Sequence, residues 1–210
     1  MRRFSMCVLV LALCAPVAAW AQAGGTGIEL IPFAGYRWGG GMSSITGISK
    51  FDTQDTYSFG GSLDKPLSTS SSVEVYWGHF KGDIDATFVG GLKATSELTR
   101  DDIMLNGIWY AYRAVPSTRP YFTAGLGASI LSTTGGSSTT RFAWNVGAGV
   151  RRELGPKLGL RLDGRWIPTW VTTGSSPYCY PYYGCYTMST GEFYDQFELS
   201  AGLVLKIGAS

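Results

Sequence analysis

Beyond its first residues the sequence has no apolar run that approaches a membrane-crossing helix, and it holds one histidine and four cysteines, two of them near the start. A spanning helix needs about 20 apolar residues in succession, so residues 22–210 cannot cross a bilayer that way. Nor is there a surplus of one charge. Basic residues number 17 and acidic residues 15, and Arg2 and Arg3 account for the whole difference. Without them the chain is neutral. No general attraction to polyanions remains, and a nucleic-acid partner is not expected. What the chain has in quantity is Gly, Ser, Thr and aromatics, a composition suited to short strands and tight turns.

The opening segment sets a compartment. Met1-Arg2-Arg3 precedes a short apolar run over 6–13, and small residues end in Ala19-Trp20-Ala21. A charged start, an apolar centre and a small-x-small site make a secretory signal. Cleavage is expected after Ala21, with 1–21 removed and 22–210 forming a single domain. A lipoprotein signal ending at Cys14 is the rival. It wants a small residue before the cysteine, and Leu13 is not small.

Eight stretches alternate apolar with polar residues, the mark of a half-buried strand. In the first, over 28–38, Ile28, Leu30, Ala34, Tyr36 and Trp38 share one parity and Glu29, Gly35 and Arg37 the other; Pro32 interrupts its hydrogen bonding. The second covers 56–64, the third 72–80 and the fourth 98–113. The fifth carries Phe122, Ala124, Leu126 and Ala128 on one face, and the sixth Phe142, Trp144, Val146 and Val150. The seventh sets Leu158, Leu160, Leu162 and Trp166 against Arg161, Asp163 and Arg165; the eighth sets Phe197, Leu199, Ala201 and Leu203 against Glu198, Ser200 and Gly202. Connections 39–54, 81–96, 132–139 and 171–191 are long, whereas 66–71, 114–119 and 153–156 are short and carry Pro or Gly. Strict alternation of long and short connections predicts an all-β fold, an eight-stranded antiparallel up-and-down transmembrane β-barrel, with the chain ends on the periplasmic side.

Hydrocarbon offers no hydrogen-bond partner, so a sheet there must close on itself. The apolar parity then faces lipid and the other parity faces the lumen. Inward fall Glu29, Glu74, Asp102, Asp163 and Glu198, with Arg37, Arg151, Arg161, Arg165 and Lys206. Five acids and five bases in a narrow interior predict an ion-pair network, because buried charges persist only when paired. Gly125, Gly127, Gly147, Gly149 and Gly202 leave room there for the arginines. Eight strands enclose a space only wide enough for side chains, so no open pore is expected. Tyr36, Trp38, Trp77, Trp109, Trp144, Trp166 and Trp170, with Tyr110, Tyr121 and Tyr194 near strand ends, suggest interfacial aromatic girdles. The competing reading is the aromatic core of a soluble β-protein.

On these residues the chain resembles the small outer-membrane β-barrel family, the eight-stranded class of opacity-type proteins and the transmembrane domain of outer-membrane protein A. Ile28-Glu29-Leu30-Ile31-Pro32-Phe33-Ala34-Gly35-Tyr36-Arg37-Trp38 looks like the family's opening strand. Ser200, Gly202, Leu205 and Ile207 resemble its assembly signal, although the chain ends Gly208-Ala209-Ser210 where the family has a terminal aromatic. The resemblance implies residence in the outer membrane of a Gram-negative bacterium and recognition by the barrel-assembly machinery. Outer-membrane lipid and lipopolysaccharide would surround the wall, and the loops would meet an extracellular partner of unknown identity.

Few residues invite chemistry, and no cofactor is expected. Cys179 and Cys185 flank Tyr-Pro-Tyr-Tyr-Gly in the longest connection. In an oxidising compartment they are expected to form a disulfide; a metal site is the alternative, without a second ligand pair. The tyrosines around them suit recognition by large, stiff side chains or packing of the loop on itself. His79 shares the parity of Trp77, and a catalytic histidine needs a nucleophile and an orienting carboxylate, so no enzyme is expected. Asp83, Asp85 and Asp101-Asp102 match no complete calcium loop. Gly125-x-Gly127 and Gly147-x-Gly149 lie inside strands, where no dinucleotide fingerprint works. Two functions remain: a side-chain-filled barrel displaying loops for envelope structure, adhesion or surface interaction, or a narrow channel or route for small molecules, with Pro32 and Pro168 as candidate openings. A lipocalin-like carrier would put its apolar face inside instead.

Overall fold

The computed structural model describes residues 27–40, 48–88, 93–111, 117–133, 138–171, 178–180, 184–186 and 192–207. Eleven strands occur in it: β1 Ile28–Gly39, β2 Ile48–Thr53, β3 Thr56–Pro66, β4 Ser71–Phe88, β5 Lys93–Tyr110, β6 Thr118–Thr133, β7 Thr139–Glu153, β8 Leu158–Val171, β9 Tyr178–Tyr180, β10 Gly184–Tyr186 and β11 Glu192–Ile207. β2 and β3 both pair with β4. They form one strand of the wall, broken at Gln54 and Asp55, and the Gln54 amide bridges the break by donating to the Asp83 carbonyl at 2.8 Å. Each wall strand is antiparallel to the next, and β11 returns to β1, with Ile28 opposite Ile207 and Trp38 opposite Phe197. The result is a closed eight-stranded antiparallel barrel. Closure leaves no unpaired edge within the wall.

Alternation along each strand becomes inside and outside. On β1, Glu29, Ile31 and Arg37 are buried while Ile28, Leu30, Tyr36 and Trp38 are exposed. Exposed leucines, valines and aromatics then cover the whole wall: Leu63 on β3, Val75 on β4, Leu105 on β5, Leu126 on β6, Val150 on β7, Leu162 on β8 and Leu199 on β11. An apolar band of this extent on the outside is the reverse of a soluble fold, where such residues are buried. The lumen takes the charges, and it is not wholly polar: Ile31, Met104, Ile108, Ile167 and Val204 are also buried there.

Pairing lapses at two prolines. Between β1 and β11 the register runs to Leu30 opposite Leu205 and resumes at Phe33 opposite Gly202, so Ile31 and Pro32 have no partner on that side. Between β7 and β8 it passes from Ala143 opposite Thr169 to Val146 opposite Trp166, skipping Pro168. Proline has no amide hydrogen to give the ladder.

Several strand limits differ from those expected. The third and fourth strands were expected over 72–80 and 98–113; β4 runs on to Phe88 and β5 begins at Lys93. The connection 81–96 is thus mostly a hairpin that continues the barrel past the apolar band, and Asp83 and Asp85 lie on its β4 arm. Asp85 there accepts hydrogen bonds from Gln54 and Thr95. The connection 39–54 contains β2, and 171–191 contains the β9–β10 hairpin. The reason is physical. Beyond the band the phase reverses: Lys81, Asp83 and Asp85 hold the outward parity of β4, while Phe80 on β4 and Leu98 on β5 hold the inward one, so the lipid-facing pattern no longer marks the strand.

Candidate functional site

Among the described residues the lumen holds the buried charges, and it is built in tiers. At the end that holds the chain termini, Arg151 donates to both carboxylate oxygens of Glu29 and to Glu153 at 2.8 Å. Lys206 reaches Glu153 at 2.6 Å. Lys206 is 21% exposed at its side chain, so it closes the rim and does not sit in the sealed interior.

The middle tier joins Arg161 and Arg165 to three acids. Arg161 meets Glu74 at 2.7 Å, Asp163 at 2.8 Å and Asp64 at 3.1 Å. Arg165 meets Asp163 at 2.6 Å and Glu74 at 2.9 Å. Asn106 donates to Glu74, and Asn145 in turn donates to Asn106. Two cations between three carboxylates gives every charge a neighbour of opposite sign, the condition for holding charge out of water.

The upper tier centres on Arg37. Its guanidinium spans Asp102 at 2.5 Å and Glu198 at 2.7 Å. Tyr76 donates its hydroxyl to Glu198 at 2.7 Å. Arg100 holds the other Asp102 oxygen at 2.7 Å and donates to Ser129 and Thr169, while Ser129 also donates to Asp102. Rings link the tiers: Arg165 lies 4.4 Å over Tyr76, and Arg100 lies 5.7 Å over Tyr194. Above them the Tyr194 and Thr53 hydroxyls share a hydrogen bond and Gln196 donates to Tyr194.

Of the ten charged residues expected inside, nine are buried and in contact with an opposite charge, and Lys206 joins from the rim. Sequence reasoning left out Arg100, Asp64 and the hydroxyl and amide partners. Their signal was available. Arg100 shares the parity of Asp102, and Asp64 shares that of Ser62. Three tyrosines read as girdle residues turn inward instead. Tyr121 receives a bond from Arg161 at 2.7 Å, Tyr110 lies against Arg151, and Tyr194 caps the upper tier. A tyrosine on the polar parity brings its hydroxyl to a cation, and position near a strand end does not override that. The glycines also serve other neighbours than expected. Only Gly147 opens room beside Arg165; Gly149 admits the Tyr121 hydroxyl, and Gly125 admits the Asn106 amide.

Outside, six rings follow one another around five strands. Tyr57 on β3 meets Tyr36 edge-on at 5.6 Å, Tyr36 stacks on Trp38, and Trp38 stacks on Phe197 of β11 at 6.2 Å. Phe197 stacks on Trp166 of β8, and Trp166 meets Trp144 of β7 edge-on at 5.0 Å. Trp170 packs on Phe193 above this band, and Trp109 stacks on Phe122 at the opposite end. Trp77 and His79 stand on β4 where the apolar wall gives way to polar residues. Both bond to Asp101, Trp77 at 3.2 Å and His79 at 2.8 Å, and the Lys81–Glu97 pair follows above.

The residues read as an assembly signal lie on β11. Ser200 and Gly202 face the lumen, and Ile207 faces outward opposite Ile28. The backbone of β9 and β10 places Cys179 directly opposite Cys185. The leader 1–21 lies outside the described residues, as does the turn between the two cysteine strands. Among the described residues no cluster of three metal-ligating side chains occurs.

Residues 5–173 match the family described as the outer membrane protein beta-barrel domain. The chain belongs to this family. β11, which closes the barrel, lies beyond the matched stretch. The fold is similar to that of Neisserial surface protein A, with 18% identity over 89% of this chain and 100% of that one and a TM-score of 0.59. It is also similar to outer membrane protein OprG from Pseudomonas aeruginosa, with 13% identity over 89% and 98% and a TM-score of 0.60. AlkL, solved in lipid bilayers, gives 18% identity over 89% and 93% and a TM-score of 0.55. No curated protein matches the sequence. The chain is therefore an outer-membrane β-barrel, which places it in the envelope of a Gram-negative bacterium.

Proposed function

We propose that the protein is a sealed barrel that displays its longer connections at the cell surface, for envelope structure, adhesion or surface interaction. In this reading the leader 1–21 is removed on export, residues 22–210 insert, and the chain ends stay in the periplasm. The sealed lumen carries the proposal. A void lined by Ile31, Ser62, Tyr76, Arg165 and Ser200 amounts to about 10 Å³, room for about one water. Ions would have to break the Arg37 and Arg161 networks to pass. In planar bilayers the folded monomer is expected to give no steady conductance; reproducible single-channel steps would overturn the proposal.

The surface element most suited to recognition is the tyrosine-rich segment around β9 and β10. The backbone register sets Cys179 opposite Cys185, and oxidation would pin that hairpin in an exported protein. Mass analysis of unreduced peptides should find the two joined; free thiols at both positions would refute the bridge. The other partners are outer-membrane phospholipid and lipopolysaccharide around the wall, and the assembly machinery acting on Ser200, Gly202, Leu205 and Ile207. Catalysis is not part of this reading, because the partner of His79 is a carboxylate without a bonded hydroxyl or thiol nucleophile among the described residues.

A second reading has one observation in its favour. The ladder lapses at Pro32 and Pro168, and a weakened seam is where a small apolar molecule would slip through the wall. Release of an apolar probe from vesicles at the same rate with and without the barrel would dismiss it.

A further inference from the structure

We infer that the outer wall over β6, β7, β8 and β11 carries a docking site for a single phospholipid. Near the end that holds the chain termini, the wall is hollowed into a groove of about 540 Å³, lined by Thr118, Val150, Arg152, Leu160, Leu162 and Ala201. That size falls in the usual range of ligand sites, about 300–1,000 Å³. The hollow follows from the register. Val150, Leu162, Ala201 and Ala34 stand in one row across four strands, so two branched side chains give way to two small ones at Ala201. The walls are exposed and apolar, with Leu162 at 59%.

Arg152 gives the groove a polar mouth. It stands opposite Leu160 and Thr118 and is exposed on the outer face. Among the described residues no acid pairs with it. Its neighbour Glu153 is occupied by Arg151 and Lys206. A lone guanidinium at the edge of an apolar surface is unfavourable toward hydrocarbon, yet it is matched by a phosphodiester, which accepts two of its donors. An acyl chain in the groove with its phosphate on Arg152 satisfies both halves at once. Basic groups at a membrane interface recognise anionic headgroups on the same grounds. The lipid comes from the leaflet nearest the chain ends, which is the periplasmic one if the orientation proposed above holds. The groove itself does not depend on that orientation.

The full barrel, purified in mild detergent and titrated with phosphatidylglycerol, should retain one lipid in native mass spectra. Diacylglycerol, which lacks the phosphate, should bind more weakly, and inorganic phosphate should not displace the lipid. Arg152→Gln should lower retention about tenfold, the loss of one charge-assisted contact. Ala201→Phe, which fills the groove, should lower retention of both lipids. Leu126→Phe, on a remote part of the wall, should change neither. All three positions face outward, and circular dichroism with heat-shifted gel migration confirms that each variant is folded. Equal retention of phosphatidylglycerol by wild type, Arg152→Gln and Ala201→Phe would overturn the site. Orientation is read separately: labelling of Lys157→Cys by an impermeant reagent in intact cells would overturn the periplasmic source and leave the groove standing.

Discussion

Arg37 shows what one side chain can commit a fold to. Its guanidinium is fully buried between Asp102 and Glu198, 65 and 161 residues away in sequence. Replacing it with leucine would leave two carboxylates in a dry interior, and breaking a buried pair in this way costs about 3–5 kcal/mol. The urea midpoint of Arg37→Leu refolded in phospholipid vesicles should fall accordingly. Asp102→Asn keeps the shape and some of the hydrogen bonds and should lose less. Gly149 makes a second case. A side chain there meets the Tyr121 hydroxyl and the Leu162 carbonyl, so Gly149→Val should cost about 1–3 kcal/mol by overpacking. Tyr121→Ala in the same molecule relieves one of the two clashes, and the double variant should lose less than the sum of the single losses. Strict additivity of the two would show that these side chains do not share the space.

At the scale of the strand, depth along the wall decides what a residue is worth. Leu126 lies on the apolar band and is 62% exposed. Leu126→Arg should destabilise the barrel by about 2–4 kcal/mol if that band meets hydrocarbon. Thr99, on the outer face above the His79–Asp101 pair, should accept arginine at a cost of about 0–1 kcal/mol. Equal penalties at the two positions would contradict the assigned band. The same contrast explains what could be read from sequence. Strands were legible where lipid-facing residues alternate with lumen residues, as in 121–130 and 141–151. The upper arms of β4 and β5 were not, because Lys81, Asp83, Thr95 and Glu97 put polar residues on the parity that faces lipid lower down, and the apolar residues there, such as Phe80 and Leu98, fall on the inward parity. The lumen charges were legible by parity, which identified Arg37, Glu74 and Glu198 as inward. Their partners were not. Which acid meets which base depends on shear across strands far apart in sequence, and parity along one strand carries no information about that. Tyr110, Tyr121 and Tyr194 were legible as inward by the same parity, whereas the partners they meet across the lumen were not.

Taken as a whole, the molecule is an inside-out protein, with paired charges at its centre and apolar side chains on its outer wall. Such a chain, once processed, should stay folded only in lipid or detergent; recovery of a folded, dispersed species from plain buffer would contradict the architecture. The tiered lumen has a consequence for biogenesis. Arg37 keeps Asp102 as a partner from β5, but it gains its second carboxylate, Glu198, only when β11 lies beside β1. A chain lacking 192–207 would lose Glu198 from both Arg37 and Tyr76, together with the strand that closes the wall. Zipping the seam and completing the upper tier are therefore one event, because the same strand supplies the ladder to β1 and the carboxylate to Arg37.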